Sequence, residues 1–154
     1  MEKITALFEK LDLTKLVPQM DTLLEKMQFV AGFAVIIGPL VMLSLGLWYL
    51  LIPPKEANHS AGFRTWFGMG SVEAWLLTQK IAGFTWAGCG LILTIVMWII
   101  RGKFVGMELM EVASTAFTCL LWQVGVAAVT YVLICIATVV LFDRKGDFRW
   151  KKEK

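Results

Sequence analysis

Charged residues vanish from this chain in three long stretches and crowd into the segments between them. Gln28 to Ile52 is uncharged for 25 residues, Ile81 to Ile100 for 20 and Val112 to Phe142 for 31. A helix needs roughly 20 apolar residues to cross the hydrocarbon core of a bilayer. Lipid offers backbone amides no hydrogen-bond partners, so helices are the spanning form for such runs. The pattern predicts an all-α membrane protein with three transmembrane helices, over about 28–52, 81–100 and 112–142. The third run exceeds a perpendicular crossing, which requires tilt or places its first turns, Glu111 to Thr118, in the interface.

The polar stretches carry their own periodicity. In residues 1–27, Ile4, Leu7, Phe8 and Leu11, then Leu13, Leu16, Val17, Met20, Leu23, Leu24 and Met27 recur at intervals of three and four. That spacing predicts an amphipathic N-terminal helix, split or kinked at Pro18. Its four Lys and five acids make an anionic lipid surface a poor attraction. Its expected place is beside its own bundle or in a partner's groove. Gly38-Pro39 predicts a kink in the first span, whose freed carbonyl must find a partner within the bundle. Pro53-Pro54 ends that span. In the second span Ala82, Gly83, Gly88, Cys89 and Gly90 offer a neighbouring helix a close approach. Residues 143–154 form a basic tail, frayed or helical at the surface. The organisation is therefore an amphipathic segment (1–27), a membrane domain (28–142) with a connecting loop at 53–80, and the tail. The first uncharged run is too long for a signal-peptide core, so it stays as a span.

Composition sharpens this picture. The 154 residues are 58% hydrophobic and 18% charged, where soluble domains are nearer half apolar and a quarter charged. Nine Lys and Arg lie in the 53–80 loop and the tail, against six on the opposite side. The positive-inside rule therefore places loop and C-terminus in the cytoplasm and the N-terminus outside. Cys89, Cys119 and Cys135 all fall inside spans and read as small buried hydrophobes rather than a disulfide framework. One histidine and no Cys/His cluster predict neither a metal site nor a cofactor. No span contains an ionisable residue, whereas pumps and ion-coupled transporters retain them to carry protons or ions. The most polar intramembrane residue is Gln123, whose amide reads as glue between helices or as the polar lining of a groove. Glu56, His59 and Ser60 lie too close in sequence for a triad, which is assembled from separate elements around an oxyanion hole. With no nucleophile elbow or zincin helix either, the expectation is a protein that is not an enzyme. The bilayer is its evident partner, and nothing points to nucleic acid.

The loop sequence "GFRTWFGMGSVEAW", Gly62 to Trp75, is unusually aromatic and Gly-rich for a connector. Ser71 suits a helix cap and Glu73 the first turn, predicting a short interfacial helix that leads into the second span. Trp66, Phe67 and Trp75 are expected at headgroup depth. Arg64 has several readings: a topology signal, a ligand for a phosphate headgroup, a partner for Glu73, or a cap for helix carbonyls. The order Asn58, Gly62-Phe63-Arg64-Thr65, Met69, Ser71, Glu73-Ala74-Trp75, Gln79, Gly83 resembles the SdpI/YfhL family of bacterial membrane proteins. That family carries such a motif between the first two of three spans. Phe63 stands where it usually has Tyr, and Gln79 where it usually has Asn.

The resemblance implies a multi-pass protein of the bacterial cytoplasmic membrane with the motif loop on the cytoplasmic side. It also implies a non-enzymatic role in immunity to a membrane-active peptide toxin, or in signalling its presence or envelope stress. Asn58, Gly62, Phe63, Arg64, Thr65, Met69, Ser71, Glu73, Trp75 and Gln79 would form the functional loop. The partners so implied are the lipid bilayer, a membrane protein or peptide toxin, and a second copy of the chain. The alternative from another class is an accessory subunit of a larger membrane complex.

Overall fold

The computed structural model describes residues 13–57 and 61–152. Three long helices account for most of them: α1 (Leu13–Leu51), α2 (Val72–Lys103) and α3 (Leu109–Leu141). A 3-10 turn follows at Arg149–Lys152. Each long helix contains a stretch apolar and long enough to cross a bilayer, Asp21–Leu51, Val72–Lys103 and Leu109–Leu141. The chain is an all-α, multi-pass membrane protein whose helices face lipid.

Two boundaries differ from the sequence pattern. α1 runs unbroken through Pro18, so residues 13–27 belong to the first spanning helix and form no separate element. Proline forfeits one backbone bond there, to Thr14, and the rest of the ladder carries the helix on. The remaining part of the predicted amphipathic segment, residues 1–12, lies outside the described residues. At 39 residues and 1.5 Å per residue, α1 is about 58 Å long, nearly twice the roughly 30 Å hydrocarbon core. α2 likewise begins at Val72 and reaches Lys103 without interruption. The short interfacial helix and the second span are one element, because no Gly or Pro separates Ser71 from Ala82. α3 starts at Leu109, where Glu108 and Glu111 form a reciprocal capping box.

α1 and α2 are the closest pair. Their approach is set by glycines whose missing side chains leave room for the other helix. Gly46 lies against the backbone of Ala87, Gly90 against that of Leu43, and Gly83 against Leu50. Farther along, Gly32 accommodates the stem of Arg101. The pairs 32–101, 43–90, 46–87 and 50–83 keep one antiparallel register from end to end. Arg101 also lies 5.3 Å from the centre of the Trp98 ring, so its charge is held along the helix surface.

α3 packs across this pair with one stripe: Val112, Ala116, Cys119, Gln123, Thr130, Ile134 and Thr138. Its opposite side, including Phe117, Trp122, Val124 and Val140, remains exposed to lipid. The interior divides into two apolar clusters. One joins Val35, Ile36, Met97, Phe104 and Val112 near the α2–α3 turn. The other joins Tyr49, Phe63, Ala82 and Ile134 at the end that carries the motif loop.

Candidate functional site

The motif loop is folded into the bundle, and its sequence shows why. Residues 63–65 belong to neither helix nor turn, and their side chains alternate between interior and surface. Phe63 and Thr65 turn inward and are 4% and 6% exposed, Arg64 turns outward, and Trp66 is 83% exposed. Phe63 enters a cage built by all three helices. Its ring lies 6.5 Å from Tyr49 of α1, 5.4 Å from Trp86 of α2 and 5.2 Å from Tyr131 of α3. The Tyr49 and Trp86 contacts are edge-on, the arrangement that ring quadrupoles favour. The indole Nε1 of Trp86 is buried beside this plug without a hydrogen-bond acceptor.

A single side chain holds the plug in place. Gln79 of α2 is fully buried. Its Nε2 donates to the Phe63 carbonyl at 2.9 Å, and its Oε1 accepts from the Phe63 amide at 2.7 Å. Both polar groups of one residue are thereby satisfied where water cannot reach them, as a buried backbone requires. Gly62 makes the clasp feasible. Its φ of +104° is a conformation that favours glycine, and a Cβ there would strike the Trp75 ring.

Trp75 corrects the expectation of a headgroup anchor. It is entirely buried, and its Nε1 donates to the Pro54 carbonyl at 2.7 Å. Sitting one turn into α2, it faces the loop it closes rather than the lipid. Phe67 is half-buried, leaving Trp66 as the exposed indole of the motif.

A tight turn follows. Thr65 Oγ1 accepts from the Gly68 amide at 3.0 Å, while the Met69 amide donates to the Thr65 carbonyl. Gly68 fits between the hydroxyls of Thr65 and Thr78, and Met69 is half-buried beside it. Ser71 then caps α2, accepting from the Ala74 amide at 3.1 Å. Glu73 is exposed in the first turn, where the helix dipole favours an anion. Asn58, with His59 and Ser60, lies outside the described residues.

Of the two forms expected for the tail, its described part, 143–152, takes a turn and then a short helical one, the 3-10 helix Arg149–Lys152. Phe142 and Phe148 pair across a turn in which Asp143 Oδ1 accepts from the amides of Lys145 and Asp147. Gly146, at φ +80°, presses against the backbone of Gly70 and Ser71. Ser71 Oγ donates to its carbonyl at 2.8 Å. One serine thus caps α2 and ties the tail to the loop. Short-range pattern could not reveal this bond, because its partners are 75 residues apart. The parts that Tyr131, Trp86 and the Pro54 carbonyl play around the loop escaped the sequence reading for the same reason.

Gln123 sits away from the loop, on α3. It is 8% exposed, and its Nε2 donates to the Val35 carbonyl at 2.8 Å. It borders a mostly apolar groove of about 290 Å³ shared with Pro39, Met42, Leu93 and Leu120.

Electrostatically, the motif leaves a guanidinium, a carboxylate and an indole at its surface. Such a set recognises anions and interfaces through charge and stacking. No protein-family model, curated protein or solved structure matches this chain.

Proposed function

We propose that this is a non-enzymatic membrane protein of the SdpI/YfhL type that protects a bacterial cell against a membrane-active peptide, or senses one. The supporting observation is the pre-organised motif loop. Phe63 is locked by Gln79 in a three-helix aromatic cage, with Arg64 and Trp66 projecting outward beside it. Rigid presentation of a cation and an indole at the end of a helical bundle suits recognition of a carboxylate or phosphate at the membrane surface. In this reading the loop and tail face the cytoplasm. Arg64 binds, Trp66 sits at the interface, and Gln79 and Trp75 hold the geometry.

Bacteria expressing the protein and challenged with cationic, membrane-permeabilising peptides test the reading. Wild-type protein should raise survival, and Arg64→Ala should abolish that gain at equal membrane abundance. Equal survival with either protein, or no gain from the wild type, would overturn it.

A second reading rests on the length of α1. Leu23 and Met27 are 54% and 40% exposed on the part of the helix beyond the thickness of a hydrocarbon core. An accessory subunit docking this overhang on a larger complex would cover them. Mass determination after purification in mild detergent separates the two: a reproducible heteromer favours the subunit, a monomer or small homo-oligomer the immunity-type protein.

A further inference from the structure

The segment after α3 returns to the motif loop, and this fixes where its charges lie. The turn at Asp143–Asp147 is closed by the Asp143 carboxylate on two backbone amides. It is pinned by Gly146 against Gly70 and Ser71. Arg144 and Lys145, at the tip of this turn, are exposed. Arg149 Nε donates to the Phe142 carbonyl at 2.9 Å, which holds a third cation on the same docked segment. The loop and the docked tail each carry an exposed indole as well. Trp66 is 83% exposed on the loop, and Trp150 is 64% exposed while stacked on Phe148 at 4.9 Å. With Arg64 of the loop the face carries four cations against three acids, of which Asp143 is engaged with backbone while Asp147 and Glu73 remain exposed.

We propose that loop and docked tail together form one face that binds the headgroups of anionic phospholipids. The location selects this ligand among anions. The face lies where α1 ends, α2 begins and α3 ends, so it meets the bilayer surface rather than open solvent. Exposed indoles settle at headgroup depth, and basic residues beside a spanning helix are drawn to anionic lipid. The docking contact contributes more than net charge does, because it holds Arg144 and Lys145 beside the motif instead of on a free tail.

The test uses the full chain purified in dodecyl maltoside, with phosphatidylglycerol or phosphatidylcholine of matched acyl chains added and retained lipid read by native mass spectrometry. Wild-type protein should retain phosphatidylglycerol in preference. That preference should fall roughly fivefold for each cation removed in Arg144→Gln and Arg144→Gln/Lys145→Gln. These positions are exposed, so helix content by circular dichroism should be unchanged. Lys103→Gln, at the opposite end of α2, should leave the preference intact. Gly146→Ala retains every charge but displaces the tail from Ser71, and should weaken the preference as well. Equal retention of both lipids by wild type, an unchanged preference in the double variant, or equal loss from Lys103→Gln would overturn the proposal. Full preference in Gly146→Ala would overturn the composite face, and complete displacement by millimolar inorganic phosphate would show a free-anion site instead.

Discussion

Gln123 on α3 hydrogen-bonds the backbone carbonyl of Val35 on α1, 2.8 Å away and 88 residues earlier in the chain. Val35 is four residues before Pro39, so its carbonyl is the acceptor that proline leaves without an intrahelical donor. An amide on another helix supplies the missing hydrogen. Gly38, beside the proline, leaves room for the Gln123 Oε1. Three residues that look unrelated in sequence therefore make one joint: a proline that opens a bond, a glycine that admits a side chain, and a glutamine that closes the gap.

Gln123→Leu should destabilise the folded protein by about 1 kcal/mol, the scale of interhelical hydrogen bonds in membranes. In a Pro39→Ala background the helix supplies its own donor to Val35, and the same substitution should cost little. A double-mutant cycle by reversible denaturation in mixed micelles measures the coupling. Equal costs in both backgrounds would refute the joint.

Gln79→Leu removes the hydrogen-bond partners of both the Phe63 amide and the Phe63 carbonyl. Leaving a buried donor and acceptor unpaired costs about 1–3 kcal/mol each, so the loop should detach before the helices melt. Limited proteolysis should then cut within 53–70 at a protease level that spares the wild type. Unchanged resistance would show that the aromatic cage alone holds Phe63.

Glycine substitutions should sort by contact. Gly70→Ala and Gly146→Ala place a methyl group against the facing backbone of the tail and the loop respectively, and should expose the tail to carboxypeptidase. Gly88 and Gly125 face open space, so alanine there should leave digestion at the wild-type rate.

The two motif tryptophans should respond oppositely to lipid-borne quenchers. In vesicles of brominated phospholipid, Trp66→Phe should reduce the quenchable fraction of emission, because Trp66 is 83% exposed beside the spanning helices. Trp75→Phe should leave that fraction nearly unchanged, because Trp75 is fully buried and bound to Pro54. Similar losses from both substitutions would contradict the burial of Trp75.

The loop motif was partly legible in its residue types. Ser71 reads as a cap from the sequence and is one, since capping depends on residues three positions apart. Glu73 reads as a first-turn acid for the same reason. Trp75 reads as an interfacial anchor, and the fold buries it. An indole with a satisfied N–H suits a headgroup belt or a sealed loop equally well, and only the return of Pro54 over it decides between them. Arg64, which the sequence left with several readings, is turned outward by the fold.

The sequence by itself determined that the chain crosses a membrane three times through helices. Long uncharged runs have no other stable state in lipid, and that argument needs only local composition. It also showed that Pro39 opens a carbonyl requiring a partner, because the lost bond is set by covalent chemistry. Tertiary structure alone decided which donor answers it, which peptide Gln79 clasps, and that the tail docks on Ser71. Each of these joins residues 16 to 88 positions apart. Periodicity reports which face of a helix is apolar; the side chain that meets that face depends on how the helices cross.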